Sequence, residues 1–207
     1  MAEPPTIKHT KYENTSRSLI ARYTGPLVKD MTDEQKEIRD AIIRSRPRTG
    51  ITGPFGPWLA VPQIAQPAQA LGRACRYGTS LSFQESELII LLTGAKTRCH
   101  AEFDIHVDEA LKSGWTMEFV EAIPRDGAFS LAAVKSQLFP LLKTERMRAI
   151  ATYTAELLET CSVSDETYGA CKKALDGSES ALVEITSIVG YYTYVSYTLN
   201  AFRIPST

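Results

Sequence analysis

The segment Glu87–Leu92, ELIILL, is apolar on every side of a helix. A helix of that kind has no face for water and must sit at the centre of the fold. The rest of the chain supplies elements to cover it. Thr32 with Gln35 three residues on forms a capping box, and Ile38, Ile42 and Ile43 form an apolar stripe ended by Pro47. Further helical patterns cover Val61–Arg76, Phe83–Ala95, Cys99–Lys112 and Thr116–Ile123. Others cover Leu131–Leu142, Thr144–Thr160, Asp165–Leu175 and Ser180–Phe202. No run alternates like a strand before a hairpin turn. The expected class is all-α, with about eight helices.

At 207 residues the chain suits one domain. Residues 1–30 are polar, carry Pro4, Pro5 and Pro26, and read as an extended arm before a single helical domain over 31–207. Residues 48–58, RTGITGPFGPW, hold three glycines and two prolines. They read as an irregular loop whose apolar content packs over something.

Net charge is −1 and no Lys/Arg tract is present, so a nucleic-acid partner is not expected. The 21 residues Leu182–Phe202 are long enough to span a membrane. They also carry Glu184, Asn200, four tyrosines and several Ser/Thr, which favours a helix buried in a bundle. No membrane partner is expected. The start MAEPPTIKHTKYE lacks a signal-peptide core, and with four thiols expected to be reduced it points to the cytoplasm. Leu182, Ile185, Val189, Tyr192 and Leu199 form an apolar stripe that favours association into a homo-oligomer.

The chemistry concentrates in RCHAEFDIH, residues 98–106. On a helix, Cys99, Glu102 and His106 fall on one stripe, and His100 points elsewhere. A carboxylate one turn from an imidazole fixes its tautomer and raises its pKa, which makes an acid–base pair. A Glu–His contact on a solvated face has the same spacing. H-E-x-x-H is absent and no further His completes a shell, so no metal is expected. No pair among Cys75, Cys99, Cys161 and Cys171 is spaced C-x-x-C, so a thiol at Cys99 has no obvious resolving partner. Glu87 is the other acid to explain. In one straight helix it would lie about 22 Å from Glu102. A break at Gly94–Thr97, GAKT, would fold the second helix back and bring the two acids together.

The stretch LSFQESELIILLTGAKTRCHAEFDIHVDEALKSGW resembles the carboxymuconolactone decarboxylase family, whose fold is shared with AhpD-type alkylhydroperoxidases. The family pattern is a Leu-rich helix opening with Glu, then a segment like YEW-x-x-H-x-x-x-A-x-x-x-G. Glu87, Glu102-Phe103, His106, Ala110 and Gly114 stand at the matching positions. The resemblance extends over roughly residues 31–203. The peroxidase branch carries C-x-x-C where this chain has Cys99-His100-Ala101-Glu102, so the resemblance favours the branch without the second cysteine. Ala101 and Phe103 replace the family's Tyr and Trp.

The resemblance implies an AhpD-like helical bundle, assembly as a trimer or hexamer, and a cofactor-free enzyme acting on a small carboxylated or enolisable molecule by decarboxylation, isomerisation or cyclisation. A biosynthetic substrate is as compatible as a catabolic one. In that reading His106 donates a proton at carbon, Glu102 orients it and Glu87 completes a relay. Arg76 or Arg98 holds a substrate carboxylate, and Cys99, Trp58, Phe103, Tyr191 and Tyr192 wall the pocket. Two other readings stay open: a single-cysteine thiol antioxidant, and a non-catalytic ligand-binding oligomer.

Overall fold

The computed structural model describes residues 12–46 and 50–206. Part of the expected arm (residues 1–11) and the expected helix stop at Pro47 lie outside them. Among the described residues there are ten α-helices and no strand. They are α1 (Asp33–Ser45), α2 (Phe55–Trp58), α3 (Pro62–Tyr77), α4 (Phe83–Lys96) and α5 (His100–Ser113). Then come α6 (Met117–Ala122), α7 (Leu131–Leu138), α8 (Glu145–Thr160), α9 (Asp165–Ala174) and α10 (Glu179–Phe202).

The local rules explain most of the boundaries. Thr32 and Gln35 form the capping box of α1. Ser82 and Glu85 form a second at the start of α4, and Thr116, Ser130, Thr144, Ser164 and Ser178 cap five more helices. Gly114 ends α5 in the left-handed conformation, with φ 106°. Of the expected loop over residues 48–58, residues 48 and 49 lie outside the described residues, and the remainder departs from expectation. Phe55–Trp58 forms a helical turn with all four residues buried, because their apolar surface packs inward against α3 and α10.

Helix α4 is the axis of the molecule. Leu88, Ile89, Ile90, Leu91 and Leu92 are at most 1% exposed. Burying each such side chain contributes about 1.5–3 kcal/mol. Helices α5, α8 and α10 surround it. The apolar stripe of α10 is spent inside the chain: Leu182, Ile185, Val189, Tyr192 and Leu199 are all buried against these neighbours. It therefore supplies no argument for association. No helix among the described residues is long and apolar enough to cross a membrane.

The break after α4 falls at Thr97–Cys99, slightly later than the GAKT expectation. Arg98 takes the left-handed conformation, φ 53°, and reverses the chain. Helix α5 then packs back along α4. Gly94 permits the approach, since a Cβ there would lie 3.3 Å from the Phe103 backbone nitrogen.

Candidate active site

The reversal places Glu87 of α4 against His106 of α5. Glu87 Oε2 lies 2.8 Å from His106 Nδ1, and Glu102 Oε1 lies 3.0 Å from Nε2. The imidazole thus bridges two carboxylates. Arg76, from α3, donates through Nη1 to Glu87 Oε1 at 2.7 Å and through Nη2 to Glu109 Oε2 at 3.0 Å. The result is a chain of alternating charge, Glu109–Arg76–Glu87–His106–Glu102. Arg76 Nη1 is also 3.2 Å from His106 Nδ1. With Nδ1 protonated, both nitrogens are donors converging on Glu87.

Glu87 is 0% exposed in the middle of an apolar helix. A lone carboxylate there would be prohibitively costly, and two hydrogen-bonded cations offset that cost. The helix-start carboxylate is Glu85, not Glu87. Burial alone would depress the His106 pKa; Glu87 first and Glu102 second outweigh it and raise it to about 9. At neutral pH the ring is therefore an imidazolium with both N–H groups engaged. His100 stays outside this set and pairs with Asp126 at 3.3 Å.

Glu102 and His106 open on a cavity of about 660 Å³, a size suited to a small organic molecule. Arg76, Tyr191 and Tyr192 line it too. The Tyr192 ring meets the His106 ring edge-on at 5.2 Å, and Tyr191 meets Tyr192 at 5.3 Å. Gly72 of α3 makes room for Tyr191: a Cβ at 72 would lie 2.1 Å from the tyrosine oxygen.

Three expected wall residues and one expected carboxylate-holding arginine lie elsewhere, and these are corrections. Trp58 sits behind the wall, donating to Thr198 Oγ1 at 3.0 Å and stacking on Tyr194 at 4.7 Å. Phe103 is 1% exposed and packs beneath Tyr12 and Arg125. Cys99 is fully buried before α5. Burial first, then the Glu102 charge, pushes its thiol pKa up to about 12, so it is poorly disposed to act as a nucleophile. Arg98 is used in the chain reversal and does not line the cavity. Arg76 does line it, but its two terminal nitrogens already hold Glu87 and Glu109. Neither arginine is placed to clamp a substrate carboxylate.

Several site residues were missed in sequence. Glu109 lies three residues after His106, a helical spacing that could have flagged it. Asp104, inside RCHAEFDIH, is 6% exposed and gathers the N-terminal segment. It accepts from Tyr12 Oη at 2.5 Å, from the Ser16 hydroxyl and from Asn14 Nδ2 at 2.7 Å. Tyr12 and Asn14 then form part of the cavity rim. Arg46, at the end of α1, lines the cavity as well, and no motif marks it.

No protein-family model matches the chain, and no curated protein matches it. Solved structures do. The debrominase Bmp8 is 12% identical, covering 89% of this chain and 91% of its own, with a TM-score of 0.65. A cysteine-to-alanine variant of Bmp8 has been solved in complex with 2,3,4-tribromopyrrole. An uncharacterized peroxidase-related protein from Silicibacter sp. TM1040 is 10% identical over 90% and 92% of the two chains, with a TM-score of 0.68. A protein of unknown function from Agrobacterium tumefaciens, described as a putative antioxidant defence protein AhpD, is 17% identical over 72% and 94%, with a TM-score of 0.58. At these identities the likeness shows the fold, which is AhpD-like, as the sequence resemblance led us to expect.

Proposed function

We propose that this chain is an acid–base enzyme in which Glu102 exchanges a proton with a small enolisable or carboxylated molecule held in the cavity. One observation carries the reading: His106 bridges Glu87 and Glu102 on the wall of that cavity. Because both imidazole nitrogens already face carboxylates, the oxygen left to meet a substrate is Glu102 Oε2. The expected roles of Glu102 and His106 are therefore exchanged. Glu87 and Arg76 hold His106, His106 supplies the proton, and Glu102 passes it on.

Decarboxylation of a β-keto or unsaturated lactone acid illustrates the step. The bond to the carboxylate carbon breaks, carbon dioxide leaves, and the electron pair remains as an enolate. Glu102 takes a proton from His106 Nε2 and passes it to carbon, which leaves a carboxylate beside a neutral imidazole, and solvent restores the imidazolium. Run in reverse order at one carbon and forward at another, the same group isomerises or cyclises an enolisable substrate. A biosynthetic substrate fits as well as a catabolic one. The AhpD-like fold serves an enzyme in Bmp8, and its tribromopyrrole complex supports a small planar ligand here. A homo-oligomer, trimeric or hexameric, remains part of the proposal through the family resemblance.

The test is conversion of a panel of β-keto acids and unsaturated lactone acids in D2O, followed by NMR. Wild type should place deuterium at the former carbanion carbon, and Glu102→Gln should not. Turnover by Glu102→Gln at the wild-type rate would overturn the reading.

A further inference from the structure

With Arg76 and Arg98 set aside, the cavity still needs a group to hold a substrate's negative charge, and Arg46 is placed for that. Its Nη1 donates to Ser45 Oγ at 3.0 Å and its Nη2 to the Gln69 carbonyl at 3.2 Å. Its guanidinium lies 4.6 Å from the centre of the Phe55 ring. These contacts fix the group in position. They do not neutralise it, because among the described residues no carboxylate lies within ion-pair distance of Arg46.

A second feature points to the same place. Tyr191 is 6% exposed and lines the cavity, and the Arg46 charge acts on its hydroxyl. That hydroxyl makes no hydrogen bond to any described residue. The ring is buried while the oxygen opens on the cavity, where a ligand can meet it. Gly72 preserves its position, since any larger residue would collide with it. An unneutralised guanidinium and a hydroxyl without a protein partner, both on the lining of one cavity, make a donor pair for an oxyanion. The aromatic side chains of Phe55, Tyr191 and Tyr192 line the same cavity.

We propose that Arg46 and Tyr191 form an oxyanion-binding subsite that anchors the carboxylate or phosphate of a planar, unsaturated ligand, with its far end directed to Glu102. This rests on the proton-transfer reading above for what happens at Glu102, but not for the binding itself. The path between the two ends runs over two ring contacts, Tyr191 to Tyr192 and Tyr192 to His106. A ligand of one or two rings spans it.

The experiment is calorimetric titration of benzoate, phenyl phosphate and benzyl alcohol into the full chain. Wild type should bind at least one of the two anions at least tenfold more tightly than benzyl alcohol. The tighter of the two tells which oxyanion the subsite takes. Arg46→Met should lose at least tenfold in anion affinity while benzyl alcohol stays within about twofold, and Arg46→Lys should recover part of the loss. Tyr191→Phe, which keeps the ring, should lose threefold or more. Unchanged anion binding by a folded Arg46→Met would overturn the subsite, as would equal binding of anion and alcohol by wild type. If Arg46→Met does not fold, unchanged anion binding by Tyr191→Phe overturns it instead. Glu102→Gln should bind the anions within threefold of wild type. Its retention of turnover would sink the proton-transfer reading and leave the subsite standing; unchanged binding by Arg46→Met would do the opposite.

Discussion

Glu87 and His106 belong to different helices, stand nineteen positions apart, and meet at 2.8 Å. The left-handed residue Arg98 makes the meeting possible by turning α5 back along α4. The proton-transfer proposal depends on that contact, because it fixes the ring that faces Glu102.

Removing the terminal carboxylate of the relay should stop the chemistry and spare the cavity. Positioned acid–base groups contribute about 10²–10⁴-fold. Glu102→Gln should lower kcat/KM by that order with KM little changed, as read by steady-state kinetics on a substrate from the panel. A loss confined to KM would assign Glu102 to binding instead.

The His106 contact also predicts how stability depends on pH. The folded pKa, about 9, lies above the ordinary value of 6.5 for the unfolded chain. The stabilisation is therefore fully present below pH 6.5 and is lost as pH rises through about 9. Urea midpoints measured from about pH 6.5 to about 9.5 should fall across that window, and the fall should be blunted in His106→Gln. A midpoint that rises with pH for wild type alone would contradict the assignment.

Gly72→Ala should be destabilising although alanine favours helices. Its Cβ would lie 2.1 Å from the Tyr191 hydroxyl, within a packed wall. Overpacking of this kind costs about 1–3 kcal/mol, measurable by chemical denaturation. Tyr191→Phe in the same background should recover part of the loss by removing the oxygen.

Cys99 should be silent as a thiol. It is fully buried with its pKa pushed up to about 12, whereas Cys161 is exposed. Iodoacetamide at neutral pH, followed by mass spectrometry, should label Cys161 and leave Cys99 unmodified until the protein is unfolded. Peroxide consumption should be equal in wild type and Cys99→Ser. A slower Cys99→Ser would restore the antioxidant reading.

Asp104 should fasten the N-terminal segment over the cavity rim. It accepts from Tyr12, Asn14 and Ser16, and Ser16 Oγ in turn accepts from Ser206 Oγ at 2.6 Å. Asp104→Ala leaves the buried Ser16 hydroxyl and the half-buried Tyr12 and Asn14 without their shared acceptor, at about 1–3 kcal/mol for the buried group. Limited proteolysis should then cut near residues 12–18 at least several times faster, with α4 and α5 still protected.

What could be read in the sequence is what repeats or caps. The all-round apolar run ELIILL marks a central helix, and the helical patterns place most helix starts to within a residue or two. Glu102 and His106 were legible because they sit one helical turn apart. Their contact with Glu87 was legible only through the suspicion of a break at GAKT. The rest of the site comes from elements remote in sequence. Arg46 ends α1 and Gly72 lies in α3, and neither carries a local pattern that marks a cavity. Trp58, Phe103 and Cys99 are pocket residues in the reading that the family resemblance implies, yet packing takes them into the core. The α10 stripe misled for a similar reason: an apolar stripe tells that a helix is covered, not by which chain.

The most direct measurement of the central claim needs no substrate. Side-chain 15N NMR of His106 in the intact protein reports how many ring nitrogens carry protons. The account predicts an imidazolium at neutral pH, both nitrogens protonated, with a titration midpoint of about 9 that drops in Glu87→Gln. A neutral ring at neutral pH with a midpoint at or below 6.5 would contradict it.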